Sequence, residues 1–289
     1  MDASDRGEED RNRPDISCEL RSAQFTKQST RDSTLSALVR TIESEVIPRL
    51  LLALQSTPVL VHGTINNKPS PDDVAEFAGL VTTRDFSVAT AYIDALLSKG
   101  LSLENIYLEL LAPAARLLGE WWKADLRDFT EVTSGLCRMH QLLHEFSPVF
   151  LQGAAALDPQ KSVLLIPMLG EQHSFGLIMV AEFFRSAGWD VWDLHPASLE
   201  DVLGVVRKTW FAIVGVSLAC GSKIDEVTPL IAAIRAESRN TAVRVMVGGQ
   251  PFISHPELVA RVGADATSVD GRRAPLEAAR LLTQVPPRA

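Results

Sequence analysis

The run 163–176, Val-Leu-Leu-Ile-Pro-Met-Leu-Gly-Glu-Gln-His-Ser-Phe-Gly, carries an apolar stretch into a histidine with an acid two residues before it and a glycine three after. A neutral imidazole is a strong ligand for a transition metal, so His173 is placed as a ligating side chain for a large planar cofactor. Two further groups share the same character. Ser217-Leu218 and Gly248-Gly249 each follow an apolar run. A serine hydroxyl can bond a buried ligand nitrogen or oxygen, and paired glycines let a ligand come close to the backbone. His140 and His144, four residues apart, imitate the helix of a zinc protease, but Gln141 stands where the general base would be. Without that acid the hydrolytic chemistry fails, and both histidines read as polar positions on a helix.

The elements that must hold these residues follow from periodicity. After residue 160, the apolar runs 163–168, 190–194, 212–218 and 243–247 alternate with helical patterns near 175–187, 199–208, 224–237 and 256–262. Strand–helix alternation at this spacing means βαβ units and a parallel sheet. His173, Ser217 and Gly248-Gly249 then all fall where strands end, at the carboxyl edge where open α/β sheets bind ligands. The residues before 157 have helical spacing instead. Leu35, Leu38, Val39, Ile42, Val46 and Leu50 define a helix over 34–55, and 57–71 reads as a connector. Further helices are expected over 72–81, over 87–99 ending at Gly100, from a Ser102 cap to Trp122, and over 128–146, stopping before Pro148. The expected fold is α plus α/β: a disordered tail (1–30), a helical bundle (31–157), and a Rossmann-like doubly wound parallel sheet (158–289).

Composition narrows the functions further. A net charge of −8 argues against non-specific nucleic-acid binding, which needs clustered Lys and Arg. Residues 1–30 are too short and polar for a DNA-reading helix-turn-helix. No run approaches the roughly 18 apolar residues of a membrane span, and the polar start lacks the apolar core of a signal peptide. Cys18, Cys137 and Cys220 are far apart, which fits a reduced, cytoplasmic setting, with Cys137 and Cys220 expected as core filling. Neither GxGxxG nor a P-loop is present, so a dinucleotide or a nucleoside triphosphate is not the expected ligand.

The ordered set His173, Gly176, Ser217, Leu218, Gly248 and Gly249 resembles the cobalamin-binding domain, with its D-x-H-x-x-G, S-x-L and G-G pattern. Gly263-Ala264-Asp265 with Ser268 resembles the last strand turn of that domain. The resemblance implies that His173 ligates cobalt from below, and that Ser174, Gly176, Ser217, Leu218, Gly248, Gly249 and Ser268 surround the cofactor and its displaced nucleotide tail. Glu171 stands where the family has Asp. It would accept the proton of the imidazole's other nitrogen and so tune its basicity. The longer side chain bears on the strength of ligation and leaves haem as an alternative tetrapyrrole.

Upstream, 117–122 (Leu-Leu-Gly-Glu-Trp-Trp) and 128–133 (Asp-Phe-Thr-Glu-Val-Thr) resemble the four-helix module that caps the corrin in related proteins. In light-sensing members a Trp is followed ten residues later by Glu-His; here Trp121 and Glu131 match, while Val132 replaces the histidine. An upper ligand would then be water, an alkyl group or another side chain. Trp121 and Trp122 read equally as a cofactor cap or as bundle core and surface aromatic. Together with 43–53 (Glu-Ser-Glu-Val-Ile-Pro-Arg-Leu-Leu-Leu-Ala), these segments resemble the AerR/PpaA group of anti-repressors, whose cofactor module recurs in the C-terminal part of AppA. The resemblance implies a non-enzymatic cobalamin-binding regulator, responsive to light or redox, that antagonises a PpsR/CrtJ-type repressor of photosynthesis genes without touching DNA. The alternatives are a corrinoid methyl carrier of a methyltransferase system, a haem-binding sensor, and a degenerate domain that keeps the fold without the cofactor.

Overall fold

The computed structural model describes residues 68–171 and 174–283. The expected tail, the helix 34–55 with its 43–53 motif, most of the 57–71 connector, and Gln172 and His173 lie outside these residues.

The chain first builds helices whose starts are written in their caps. Ser70 and Asp73 form a reciprocal capping box ahead of α1 (Pro71–Thr83), with Pro71 in the first turn, where its missing N–H costs nothing. Helix α2 (Phe86–Ser98) follows, and Gly100 at φ +87 turns the chain away. Ser102 accepts from the Asn105 N–H to start α3 (Leu103–Ile106). A π-helical turn (Tyr107–Leu111) then runs into α4 (Ala112–Lys123). The wide turn falls where Pro113 has no N–H for the Glu109 carbonyl, so the ladder must change pitch there. Helix α5 (Phe129–Phe150) opens with a second capping box, Asp128 with Glu131. Contrary to expectation it does not stop before Pro148. The proline lies in the last turn, where few interior bonds remain to be lost.

Beyond a short 3₁₀ turn, five strands form one parallel sheet: β1 (Ser162–Pro167), β2 (Asp190–Asp193), β3 (Ile213–Ser217), β4 (Arg244–Gly248) and β5 (Ala266–Thr267), ordered β2-β1-β3-β4-β5. The connecting helices are α6 (Phe175–Ser186), α7 (Leu199–Lys208), α8 (Ile224–Glu237), α9 (Gln250–Ser254) and α10 (Glu257–Arg261), with α11 (Ala274–Thr283) closing the described chain. The sheet is doubly wound, as its alternating pattern predicts. One face, bearing Leu164, Val214, Val216 and Val245, packs against α7 and α8. The other, bearing Val163, Leu165, Ile213 and Met246, packs against α6 and α11. Helices α9 and α11 were not foreseen from periodicity.

Helix α6 belongs to two cores at once. Phe175, Met179 and Phe183 join the bundle core with Tyr107, Leu110, Leu142 and Phe146, whereas Leu177, Ala181 and Phe184 pack on the sheet. An apolar surface all round is what a helix buried on both sides requires. Phe183 meets Phe150 edge-on at 5.2 Å and Tyr107 at 6.4 Å, and burial pushes the Tyr107 phenol well above its ordinary pKa. On the same helix the buried Glu182 accepts from Ser147 of α5 and pairs with Arg185. Chain order changes from helices to strands near 157, but bundle and sheet share α6.

Candidate functional site

Along the α6 face of the sheet, alternate residues point toward the same helices. On β1, β3 and β4 and just beyond β5 these are Leu165, Gly215, Ser217, Met246, Gly248 and Ser268. Four of the six are glycine or serine, so the carboxyl half of this face is hollow. The result is a cavity of about 570 Å³ walled by the sheet, by Gly176, Leu177, Val180 and Phe184 of α6, by 268–274 leading into α11, and by Leu108, Glu109, Ala112 and Arg116 of the bundle. It spans the point where the strand order reverses between β1 and β3, the crevice that ligands favour in such folds.

The glycines serve the cavity in different ways. A side chain at Gly248 would meet nothing within 4 Å, since its missing Cβ faces open space. At Gly249, φ is +105 and an added Cβ would lie 2.0 Å from the Leu218 carbonyl oxygen, so the turn itself demands glycine. On β3, a Cβ on Gly215 would press 2.7 Å from Leu165 Cδ2. Gly215 was missed in the sequence, although a glycine inside a strand pattern signals close approach of another group.

The strand alternation also separates two residues expected side by side. Ser217 lines the cavity, but Leu218, one residue on, is fully buried in the core of the opposite sheet face. Its backbone N–H donates to the Gly248 carbonyl at 2.9 Å, so Leu218 shapes the Gly-Gly turn rather than the ligand space. Ser268 lines the cavity while its hydroxyl donates to the Asp270 carbonyl at 2.7 Å. Ser174 stands at the N-cap of α6 without a side-chain cap bond.

The loop after β1 is held from across the sheet edge. Glu171 accepts from the N–H groups of Ala219 at 2.8 Å and Cys220 at 3.1 Å, both on the loop after β3. Lys223 donates to the Leu169 carbonyl, and Gly170 turns at φ +70. Glu171 was expected as the acceptor for an imidazole; in the structure its two oxygens take backbone amides and pin the loop on which His173 sits, His173 itself lying outside the described residues. Cys220 is exposed beside it, and the hydroxyl of Ser222 lowers its thiol below the ordinary range. Both Cys220 and Cys137 are exposed rather than core filling.

The bundle residues weighed as a cofactor cap, Trp121, Trp122, Glu131 and Val132, are differently placed. Trp121 packs against the bundle core, with the Arg127 guanidinium 5.7 Å from its ring. Arg127 in turn pairs with Glu131 at 2.8 Å, so the ten-residue Trp–Glu spacing is bridged through one arginine. Val132 is buried in the bundle core and Trp122 is half exposed. None of the four lines the cavity. His140 donates through Nδ1–H to the Leu136 carbonyl at 2.9 Å and lies edge-on to Phe175, while His144 is exposed. Among the described residues no three His, Cys, Asp or Glu side chains converge to hold a bare metal ion.

Comparison with known proteins places this geometry. The family model described as "B12 binding domain" matches residues 161–279. An uncharacterised 20.5 kDa protein from the bchF–crtJ intergenic region of Rhodobacter capsulatus is 26% identical over 168 residues, 58% of this chain and 87% of that protein. Dimethylamine corrinoid protein 3 of Methanosarcina acetivorans is 25% identical over 114 residues, 39% of this chain but only 53% of that protein. Among solved structures, the Methanosarcina barkeri monomethylamine corrinoid protein superposes with a TM-score of 0.58 at 16% identity, covering 73% of this chain and 97% of that one; this likeness concerns the fold. The segment matched by the B12 binding domain model, residues 161–279, holds the whole five-stranded sheet with the face hollowed by Gly215, Ser217, Gly248 and Ser268, and the helical bundle precedes it.

Proposed function

We propose that the protein binds cobalamin and acts, without chemistry of its own, as a regulator that antagonises a PpsR/CrtJ-type repressor through protein contact. The observation that carries the cofactor is the cavity. Its hollow sheet face leaves room for an elongated arm between β3, β4 and α6. Bound there, cobalamin would supply a cobalt centre responsive to light or redox. His173 would ligate the metal, Gly248 and Ser217 would flank the arm, and Glu171 would tie the segment before His173 to the loop after β3. Shared ownership of α6 gives the mechanism: occupancy that shifts the wall formed by Gly176 and Val180 is felt by the bundle through Phe175, Met179 and Phe183. A coupling of about 1–3 kcal/mol between ligand and partner is ordinary for such an arrangement. The regulatory part of the reading is supported by the Rhodobacter relative, whose gene neighbours crtJ. The matching family model is a B12 binding domain, and one sequence relative and one fold neighbour are corrinoid proteins, so cobalamin rather than haem is the ligand proposed.

The test is reconstitution of the full chain with hydroxocobalamin. Co-elution of pigment on gel filtration with a shifted visible spectrum is expected, and His173→Ala should lose the shift; an unchanged spectrum in that variant refutes the ligand assignment. Light- or dark-dependent co-elution of a PpsR/CrtJ-type repressor supports the regulator. A methyl carrier, the reading favoured by the methylamine corrinoid relatives, instead predicts methyl transfer to and from the bound cobalt and no repressor binding.

A further inference from the structure

The charge of the cavity wall is opposite to that of the chain. In a protein of net charge −8, the cavity is lined by four cations, Lys68, Arg116, Arg272 and Arg273, against two carboxylates, Glu109 and Asp270. Two of the cations are already committed: Lys68 pairs with Glu109 at 2.8 Å, and Arg272 with Glu104 at 3.0 Å. Asp270 is occupied as well, its carboxylate accepting the backbone N–H of Arg273 at 2.8 Å. Arg116 and Arg273 have no carboxylate in ion-pair distance among the described residues. Arg116 belongs to α4 of the bundle, and Arg273 to the segment entering α11. Two arginines with no carboxylate partner on the wall of one cavity raise its affinity for an anion.

We propose that Arg116 and Arg273 are specificity-determining residues that clamp the phosphodiester of the ligand's nucleotide arm. This inference rests on the cobalamin reading above and extends it. The phosphodiester is the arm's one formal negative charge, whereas the macrocycle carries neutral amides. A clamp with one arginine from the bundle and one from the segment entering α11 lets the ligand itself tie bundle to sheet domain, and makes recognition depend on a complete arm. A corrinoid without the phosphodiester forfeits the clamp and keeps every contact to the ring.

Absorbance titration of the full chain with hydroxocobalamin and with diaquocobinamide, which lacks the nucleotide arm, separates the possibilities. The charge-deleting double variant Arg116→Gln/Arg273→Gln should bind cobalamin at least roughly tenfold more weakly and with a flatter dependence on salt, while its cobinamide affinity stays unchanged. Both side chains are exposed, so the fold should persist, as circular dichroism would verify. Unchanged cobalamin affinity in the double variant, or an equal loss for both corrinoids, overturns the clamp. Gly248→Val provides the separate control: if it weakens cobalamin while the arginine variant does not, the clamp alone fails. If neither variant affects cobalamin, the arm is elsewhere and the reading of the cavity fails with it.

Discussion

Gly248 and Gly249 are neighbours with opposite physical reasons to be glycine, and their substitutions should separate binding from folding. Gly248→Val places its side chain in open cavity space, so stability should stay within about 1 kcal/mol of the native chain, while crowding of the arm should weaken cobalamin at least roughly tenfold. Gly249→Ala forces an L-residue into φ +105 against the Leu218 carbonyl. It should cost about 2 kcal/mol or more in a denaturant melt. Cys220 offers a third measurement. Its thiol titrates below the ordinary range because the Ser222 hydroxyl donates to it. The thiolate is the reactive form, so a lowered pKa means more thiolate at a given pH below the ordinary range. Iodoacetamide followed by peptide mapping should show the Cys220 labelling profile move to higher pH in Ser222→Ala; an unmoved profile would refute the assignment.

At the scale of elements, α6 is the part on which most depends. Its Phe175–Met179–Phe183 stripe faces the bundle and its Leu177–Ala181–Phe184 stripe faces the sheet. Phe183→Ala should cost about 3–5 kcal/mol, the usual loss for a deleted core aromatic. Because the helix is common to both cores, bundle and sheet should unfold in one transition, by near-ultraviolet and far-ultraviolet dichroism alike. Separate transitions would show that the shared helix does not couple them. The π-helical turn at Tyr107–Leu111 makes a related point: the pitch change imposed by Pro113 occurs where Leu108, Glu109 and Ala112 become cavity wall.

For the whole molecule, the order of elements was legible because short continuous apolar runs alternate with helical spacing after residue 160, whereas helical spacing alone precedes it. The carboxyl-edge position of Ser217 and Gly248-Gly249 followed from that order alone. What could not be read was which side of the sheet each residue faces once a strand ends. Ser217 and Leu218 were grouped as one feature, yet a strand must send neighbours to opposite faces, and it does. Gly215 was passed over because its role is a close approach to Leu165, a contact 50 residues away in the chain. Arg116, Arg272 and Arg273 carry no motif; only the tertiary fold brings the bundle and the approach to α11 to one cavity. Trp121 read equally as cofactor cap or bundle core; it packs on the bundle core, and its ten-residue spacing to Glu131 is bridged by Arg127, a contact no spacing announces. Short helices such as α9 offered too few residues for a period to show.

The two-sided burial of α6 also bears on how the molecule can be divided. A fragment cut at the start of the matched family, residue 161, would leave Phe175, Met179 and Phe183 facing water on one continuous stripe, together with the half of Glu182's hydrogen bonding that Ser147 supplies. Such a piece should self-associate or precipitate when expressed alone, and any smaller unit meant to stay monomeric must keep α5 attached.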